Sequence, residues 1–208
     1  MLFLSRNFLN RYLEGEIFPD KEAKLEEFRK EYLSCSRCHL RAGCTQVVFG
    51  EGNPHTKLMF VGEGPGGDED IQGRPFVGKA GQLLDKILEA AEIPRKKVYI
   101  SNVVKCRPPY NRKPTPEEMK KCLTILAGEI LIIRPKIIVL LGSTALQGTI
   151  DPKGSITRMR GKWFEKAGIK FLPTYHPGAL LRDERKKRDV WEDFKKIREV
   201  YRAIEGSE

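Results

Sequence analysis

Four cysteines, an acid-bearing glycine loop, one asparagine and one histidine hold most of the chemistry this sequence can offer. Cys35-Ser36-Arg37-Cys38 sets two sulfurs within reach of one ion. Cys106 follows an apolar strand pattern and Cys122 lies in the next helix pattern, so the loop between them can bring both sulfurs beside the first pair. Four thiolates suit zinc or an iron-sulfur cluster alike; the plainer alternative is that Cys106 and Cys122 are buried apolar residues. Cys35-x-x-Cys38-His39 also spells the c-type haem attachment pattern, which belongs to exported proteins. A thioredoxin-like pair would sit at a helix N-terminus after a strand, whereas this pair follows a helix.

The second concentration runs from Val61 to Leu84. It opens with Gly62-Glu63-Gly64-Pro65-Gly66-Gly67-Asp68-Glu69-Asp70 and continues through Gly73-Arg74-Pro75-Phe76-Val77-Gly78. Gly62-x-Gly64-x-x-Gly67 matches the dinucleotide fingerprint in letters only. A nucleotide-binding turn passes at once into a helix whose N-terminus holds the pyrophosphate, and here Pro65, Gly73 and Pro75 put off the helix until about Lys79. Asn102, not an acid, ends the next strand. Phe76 is either a core plug or a platform for a flat ligand. His176, one of three histidines, is either a structural hydrogen-bonder or, at the same sheet edge as Glu63 and Asn102, a functional group.

These residues need elements to hold them. Apolar runs predict strands over Lys57–Val61, Val98–Val104, Lys136–Leu141 and Lys170–Thr174. Helical spacing is expected from Lys21 (Leu25, Phe28, Leu33), after Gly81 (Leu83, Leu84, Ile87, Leu88, Ala91), after the Thr115-Pro116-Glu117-Glu118 capping box, and from about Asp183 to Ala203, with Val190, Trp191, Phe194, Ile197, Val200 and Tyr201 buried. Strands alternating with helices imply an α/β fold of three layers, αβα, around a central four-stranded, mostly parallel sheet. Four loops then leave carboxyl strand ends, where ligands bind in such sheets. The expected division is an arm over residues 1–20, with an interrupted amphipathic pattern at Phe3, Leu4, Phe8, Leu9 and Leu13, and one domain over 21–208.

Composition bears on partners. The chain of 208 residues carries a formal charge of +10 and a pI near 9.4. Such a surface suits a polyanion, although Lys/Glu-rich composition can also serve solubility in a heat-stable protein. Arg107-Pro108-Pro109, Asn111-Arg112-Lys113 and the run from Leu181-Arg182 to Arg188 flank the suspected site, which makes phosphate contact the economical reading. Met1-Leu2-Phe3-Leu4 is broken by Arg6, Asn7, Asn10 and Arg11 before it could form a signal core, and nothing later is long enough to span a bilayer. A cytoplasmic location, with reduced thiols, is expected.

Taken together, Gly62-Glu63-Gly64-Pro65-Gly66 with Glu69-Asp70, Gly73-Arg74-Pro75-Phe76-Val77-Gly78, Asn102-Val103-Val104-Lys105-Cys106-Arg107-Pro108-Pro109 and His176-Pro177 with Leu180-Leu181-Arg182 closely resemble the family 4 uracil-DNA glycosylases, the thermostable iron-sulfur branch of that superfamily. The resemblance runs from about Cys35 to Arg182. It implies a 4Fe-4S cluster on Cys35, Cys38, Cys106 and Cys122, with zinc the lesser candidate and Cys44 left as a free thiol. It puts Phe76 on the aromatic that stacks on flipped uracil, Asn102 on the amide reading the base edge, His176 beside a base carbonyl oxygen, and Glu63 on the acid associated with the attacking water. Gly64 belongs to the same base pocket.

The activity implied is monofunctional hydrolysis of the uracil N-glycosidic bond in DNA, as base excision repair requires, by a monomer whose substrate is uracil-containing DNA. Arg107, Arg112 and Arg182 are expected to contact DNA, with Leu180 or Leu181 wedging into the gap left by the flipped base. Gly67 interrupts an acidic run and is expected to loosen its loop. No inserted basic, histidine-containing loop like that of the covalent uracil-binding relatives is present, which favours turnover. The rival readings are a non-catalytic DNA-binding module with a four-cysteine metal site, and a cluster-bearing redox protein.

Overall fold

The computed structural model describes residues 6–15 and 17–206. The pattern expected at Phe3 and Leu4 lies outside them. In chain order the helices are α1 (Arg6–Leu13), α2 (Lys21–Tyr32), α3 (Leu40–Gly43), α4 (Gly67–Gln72), α5 (Lys79–Ala90), α6 (Pro116–Ile133), α7 (Ser143–Thr149), α8 (Ile156–Met159), α9 (Pro177–Arg182) and α10 (Lys186–Glu205). The strands are β1 (Glu51–Gly52), β2 (Leu58–Gly62), β3 (Tyr99–Asn102), β4 (Ile137–Leu141), β5 (Phe164–Lys166) and β6 (Ile169–Thr174).

Six strands form one sheet in the order β1-β3-β2-β4-β6-β5. The four expected strands are its parallel centre. The two additional ones, β1 and β5, pair antiparallel at the edges and are too short for any periodicity to register. Every residue of β2, β3 and β4 is buried, because helices cover both faces as parallel sheets require. Met59, Val61, Ile138 and Leu140 face the layer holding α1, α2 and α6. Leu58, Phe60, Val139 and Leu141 alternate onto the layer of α5 and α10.

Local signals account for several boundaries. The Thr115 hydroxyl accepts from the Glu118 N–H while Glu118 reaches back to the Thr115 N–H at 2.7 Å, and Pro116 occupies the first turn of α6. Asp20 caps α2. Tyr12 on α1 donates to the Pro135 carbonyl at 2.8 Å, fastening that helix to the end of α6.

Three sequence expectations change. Gly67 opens α4 rather than loosening a loop, so a helix begins well before the expected Lys79, because Glu69 caps it by accepting from the Gly66 N–H. Trp191 and Leu33 are exposed, at 38% and 57%; the inward stripe of α10 is Val190, Phe194, Ile197 and Tyr201. The helix expected from about Asp183 begins at Lys186, and Asp183, Glu184 and Arg185 divide it from a separate helix, α9.

Candidate active site

From β2 the chain passes to β3 on one side and then crosses from β3 to β4 on the other, so the crevice at their carboxyl ends is the switch point of the sheet. Glu63 follows β2, Asn102 ends β3, Thr144 follows β4 and His176 follows β6. A cavity of about 220 Å³ opens there, lined by Glu63, Gly64, Glu69, Phe76, Asn102 and His176, with Pro108, Asn111 and Arg112 at its basic side. That volume is below the roughly 300–1,000 Å³ of pockets for drug-sized ligands and suits one heterocycle.

Asn102 is 2% exposed, and its Oδ1 is a buried acceptor with no hydrogen-bond partner among the described residues. Such an atom costs about 1–3 kcal/mol unless a ligand supplies a donor. Gly62 makes its position possible: a Cβ there would lie 2.5 Å from Asn102 Oδ1 and 2.5 Å from the Phe76 ring.

Phe76 is both of the things the sequence allowed. It is 5% exposed and packs into the core, yet its ring lines the cavity, 5.6 Å from the His176 ring. Its backbone is left-handed, with φ of 54°, a state costing about 1–3 kcal/mol for a side-chain-bearing residue. Two residues hold it there. Arg95 donates to the carbonyls of Pro75 and Phe76 at 2.8 and 3.1 Å while pairing with Asp85. Glu69 Oε1 accepts from Val77 and Gly78 N–H groups at 2.9 and 2.8 Å, and its Oε2 ties in Gly66.

His176 Nδ1 accepts from the Gly178 N–H at 3.1 Å. In the neutral ring the proton therefore sits on Nε2, leaving that nitrogen as donor. Burial pushes the imidazole pKa down to about 4, helped by the Arg182 charge and opposed by Glu69, so the ring is neutral at neutral pH. Glu63 is held by the Thr144 hydroxyl, which donates to its Oε2. Thr144 and Arg95 carry no motif signal; only their distance from Glu63 and Phe76 in the folded chain exposes them.

The residues expected to touch DNA divide. Arg182 and Leu181 are exposed on α9, Leu181 at 52%. Leu180 is 1% exposed and packed in the core, so it is not a wedge: the helical turn of α9 points it at the sheet and its neighbour outward. Arg112 makes two bonds to Glu118, 2.7 and 2.8 Å, and Arg107 donates to Asn111 Oδ1 at 2.8 Å. In the following basic run, Arg185 and Lys186 pair with Asp183 and Lys187 with Glu184; exposed pairs of this kind hold only loosely and can be given up to phosphate.

Cys35, Cys38, Cys106 and Cys122 line one cleft with Leu40, Val47 and Ile125. No three of the His, Cys, Asp and Glu side chains among the described residues already stand at metal-binding separations; what the fold supplies is four sulfurs around one space. Burial pushes the Cys122 thiol up to about 12, with Lys105 opposing and Cys38 and Cys35 adding. Cys106 is likewise raised, first by burial and then by Cys44 beside it. A bound cation would offset those costs, so the donor set fits a thiolate-held metal group. Cys44 is a neighbour of this group, its thiol directed at the Arg41 carbonyl at 3.6 Å.

Comparison with known proteins gives consistent matches. The family model for the uracil DNA glycosylase superfamily matches residues 49–195. A type-4 uracil-DNA glycosylase of Thermotoga maritima is 48% identical over 184 residues, covering 86% of this chain and 95% of the relative. One from Sulfurisphaera tokodaii is 45% identical over 185 residues, covering 85% and 84%. A type-5 uracil-DNA glycosylase of Pyrobaculum aerophilum is 33% identical over 148 residues, covering 62% and 64%. The matched span takes in Glu63, Phe76, Asn102 and His176 around one cavity, and the chain belongs to the uracil DNA glycosylase superfamily.

Proposed function

We propose that this chain removes uracil from DNA by extruding the nucleotide and hydrolysing its N-glycosidic bond, leaving an abasic site. The observation that carries this reading is the unpartnered, buried Oδ1 of Asn102, a residue that lines a cavity sized for one base. Uracil presents an N3–H to such an acceptor, whereas cytosine presents a lone pair at N3. A site built to hydrogen-bond one edge rejects the other by orders of magnitude. Phe76 supplies the stacking face and would take up the space that a thymine methyl needs.

Bond cleavage builds positive charge on the sugar and negative charge on the departing base. The His176 Nε2–H donates to the base oxygen as that charge grows, which is the usual way a preorganised dipole lowers a barrier. Glu63, fixed by Thr144, orients the water and offsets the sugar's charge. Arg107, Arg112 and Arg182 contact phosphates, and Leu181 fills the gap left by the base. The supporting feature for Leu181 is its exposure beside Arg182.

Cys35, Cys38, Cys106 and Cys122 would hold a 4Fe-4S cluster, which when bound cross-links the segment before α3 to the loop after β3 and to α6. Zinc is the lesser alternative. The enzyme is read as a cytoplasmic monomer, since thiolates kept for a metal group suit a reducing compartment.

The test is incubation with a uracil-containing oligonucleotide followed by alkali. Strand scission at uracil is expected; duplex binding without scission would leave only the DNA-binding module. Visible absorption of the purified protein distinguishes iron from zinc.

A further inference from the structure

Lys105 and Glu129 form an ion pair of 2.6 Å in which each side chain is 1% exposed. Burying two charges is costly, and replacing such a pair with apolar residues is often neutral or stabilising. Stability alone is therefore a poor reason for its presence. Its bonds point to another reason. Lys105 Nζ spends all three donors: on Glu129 Oε2 at 2.6 Å, on Ser101 Oγ at 2.5 Å and on the Asn102 carbonyl at 2.9 Å. Glu129 in turn accepts from Ser101 Oγ at 2.7 Å, from the Gly50 N–H at 2.7 Å and from Tyr99 Oη at 3.3 Å.

The sheet explains why a lysine is needed at that carbonyl. On its inner side β3 is paired with β2 through Asn102, and the ladder continues with Val103 and Val104 donating to Gly62 and Glu63. On its outer side β1 pairs with Tyr99 and Ile100 only. Asn102 thus lies beyond the end of its outer neighbour, with no strand to hold its carbonyl. The chain bends at Val103 and Lys105, and the Lys105 ammonium, reaching back to the Asn102 carbonyl, takes the place of the missing strand. The Lys105 N–H donates to Cys122 Sγ at 3.2 Å, which fixes the lysine's own backbone against α6.

We propose that Lys105 is a positioning residue for base recognition: it holds the peptide of Asn102 so that the amide stays aimed into the cavity, and Glu129 holds Lys105. This rests on the reading of Asn102 as the reader of uracil. Geometric tolerances at reacting sites are tight, and a displacement of about 1 Å can cost about a hundredfold in rate.

The experiment compares the unmodified protein with Lys105→Met, Glu129→Gln and the double variant, measuring melting temperature, kcat and KM on uracil-containing duplex, and inhibition by free uracil. Lys105→Met is expected to melt lower and to lose about tenfold to a hundredfold in kcat/KM, with weakened uracil inhibition and unchanged binding of undamaged duplex. The double variant removes both charges and is expected to recover melting temperature without recovering uracil inhibition. Glu129→Gln keeps an acceptor for Lys105 but removes the charge that holds it, so its uracil inhibition should weaken less than that of Lys105→Met, however far it melts lower. Uracil inhibition that simply follows melting temperature through the series would overturn the proposal. So would a double variant with unmodified kcat/KM. An unmodified protein without excision would instead overturn the glycosylase reading itself, and this inference with it.

Discussion

His176 shows how much one backbone contact decides at the scale of a residue. The Gly178 N–H fixes the tautomer, and burial holds the ring's pKa near 4 against an ordinary 6.5. Between those values the unfolded chain binds a proton that the folded one does not, so this residue's contribution to stability is complete above about pH 6.5 and is lost as pH falls toward 4. An imidazole signal titrating near 4 is expected by NMR, with no activity limb between pH 6 and 7 arising from this ring; titration near 6.5 would show that burial does not favour the neutral ring. Thr144 makes a second residue-scale prediction. Thr144→Val keeps the shape and removes the hydroxyl that holds Glu63, so kcat should fall about tenfold with KM little changed. Added to Glu63→Gln it should cost almost nothing more, since the two act as a unit. Neither Thr144 nor the tautomer is readable in sequence: Glu63 and Thr144 are 81 positions apart, and only the pairing of β2 with β4 makes them neighbours.

Elements differ in how openly the sequence declares them. The start of α6 was legible because Thr115, Pro116 and Glu118 act within one turn, and β2 and β4 were legible because both faces are buried and their apolar runs are unbroken. β1 and β5 were not, since two or three residues at a sheet edge carry no period. The segment Arg74–Gly78 lies between: its glycines and prolines announce a loop, but the loop's shape is imposed by Arg95 and Glu69 from outside it. Arg95→Ala should therefore strand two carbonyls at a cost of about 1–3 kcal/mol and weaken uracil inhibition, while binding of undamaged duplex is unchanged. Thermal melting and inhibition assays check both halves, and unaltered uracil inhibition would show that Phe76 keeps its left-handed backbone without Arg95.

For the whole molecule, the charge of +10 bears on DNA affinity through counterion release rather than through any single contact. If Arg182 meets a phosphate, Arg182→Ala should reduce the slope of log affinity against log salt by about 0.9 and weaken binding equally for uracil-containing and undamaged duplex. A slope equal to that of the unmodified protein would remove Arg182 from the interface. The sequence by itself determined the layered, mostly parallel fold, the carboxyl-end loops and the residue types they carry, because hydrophobic period, caps and turn residues act over a few positions. Only the tertiary structure decided which neighbours in sequence part company, as Leu180 and Leu181 do, and which strangers meet, as Lys105, Glu129 and Asn102 do. The reason is that burial and long-range hydrogen bonding are properties of how strands and helices are laid side by side, and no local stretch of sequence contains that arrangement.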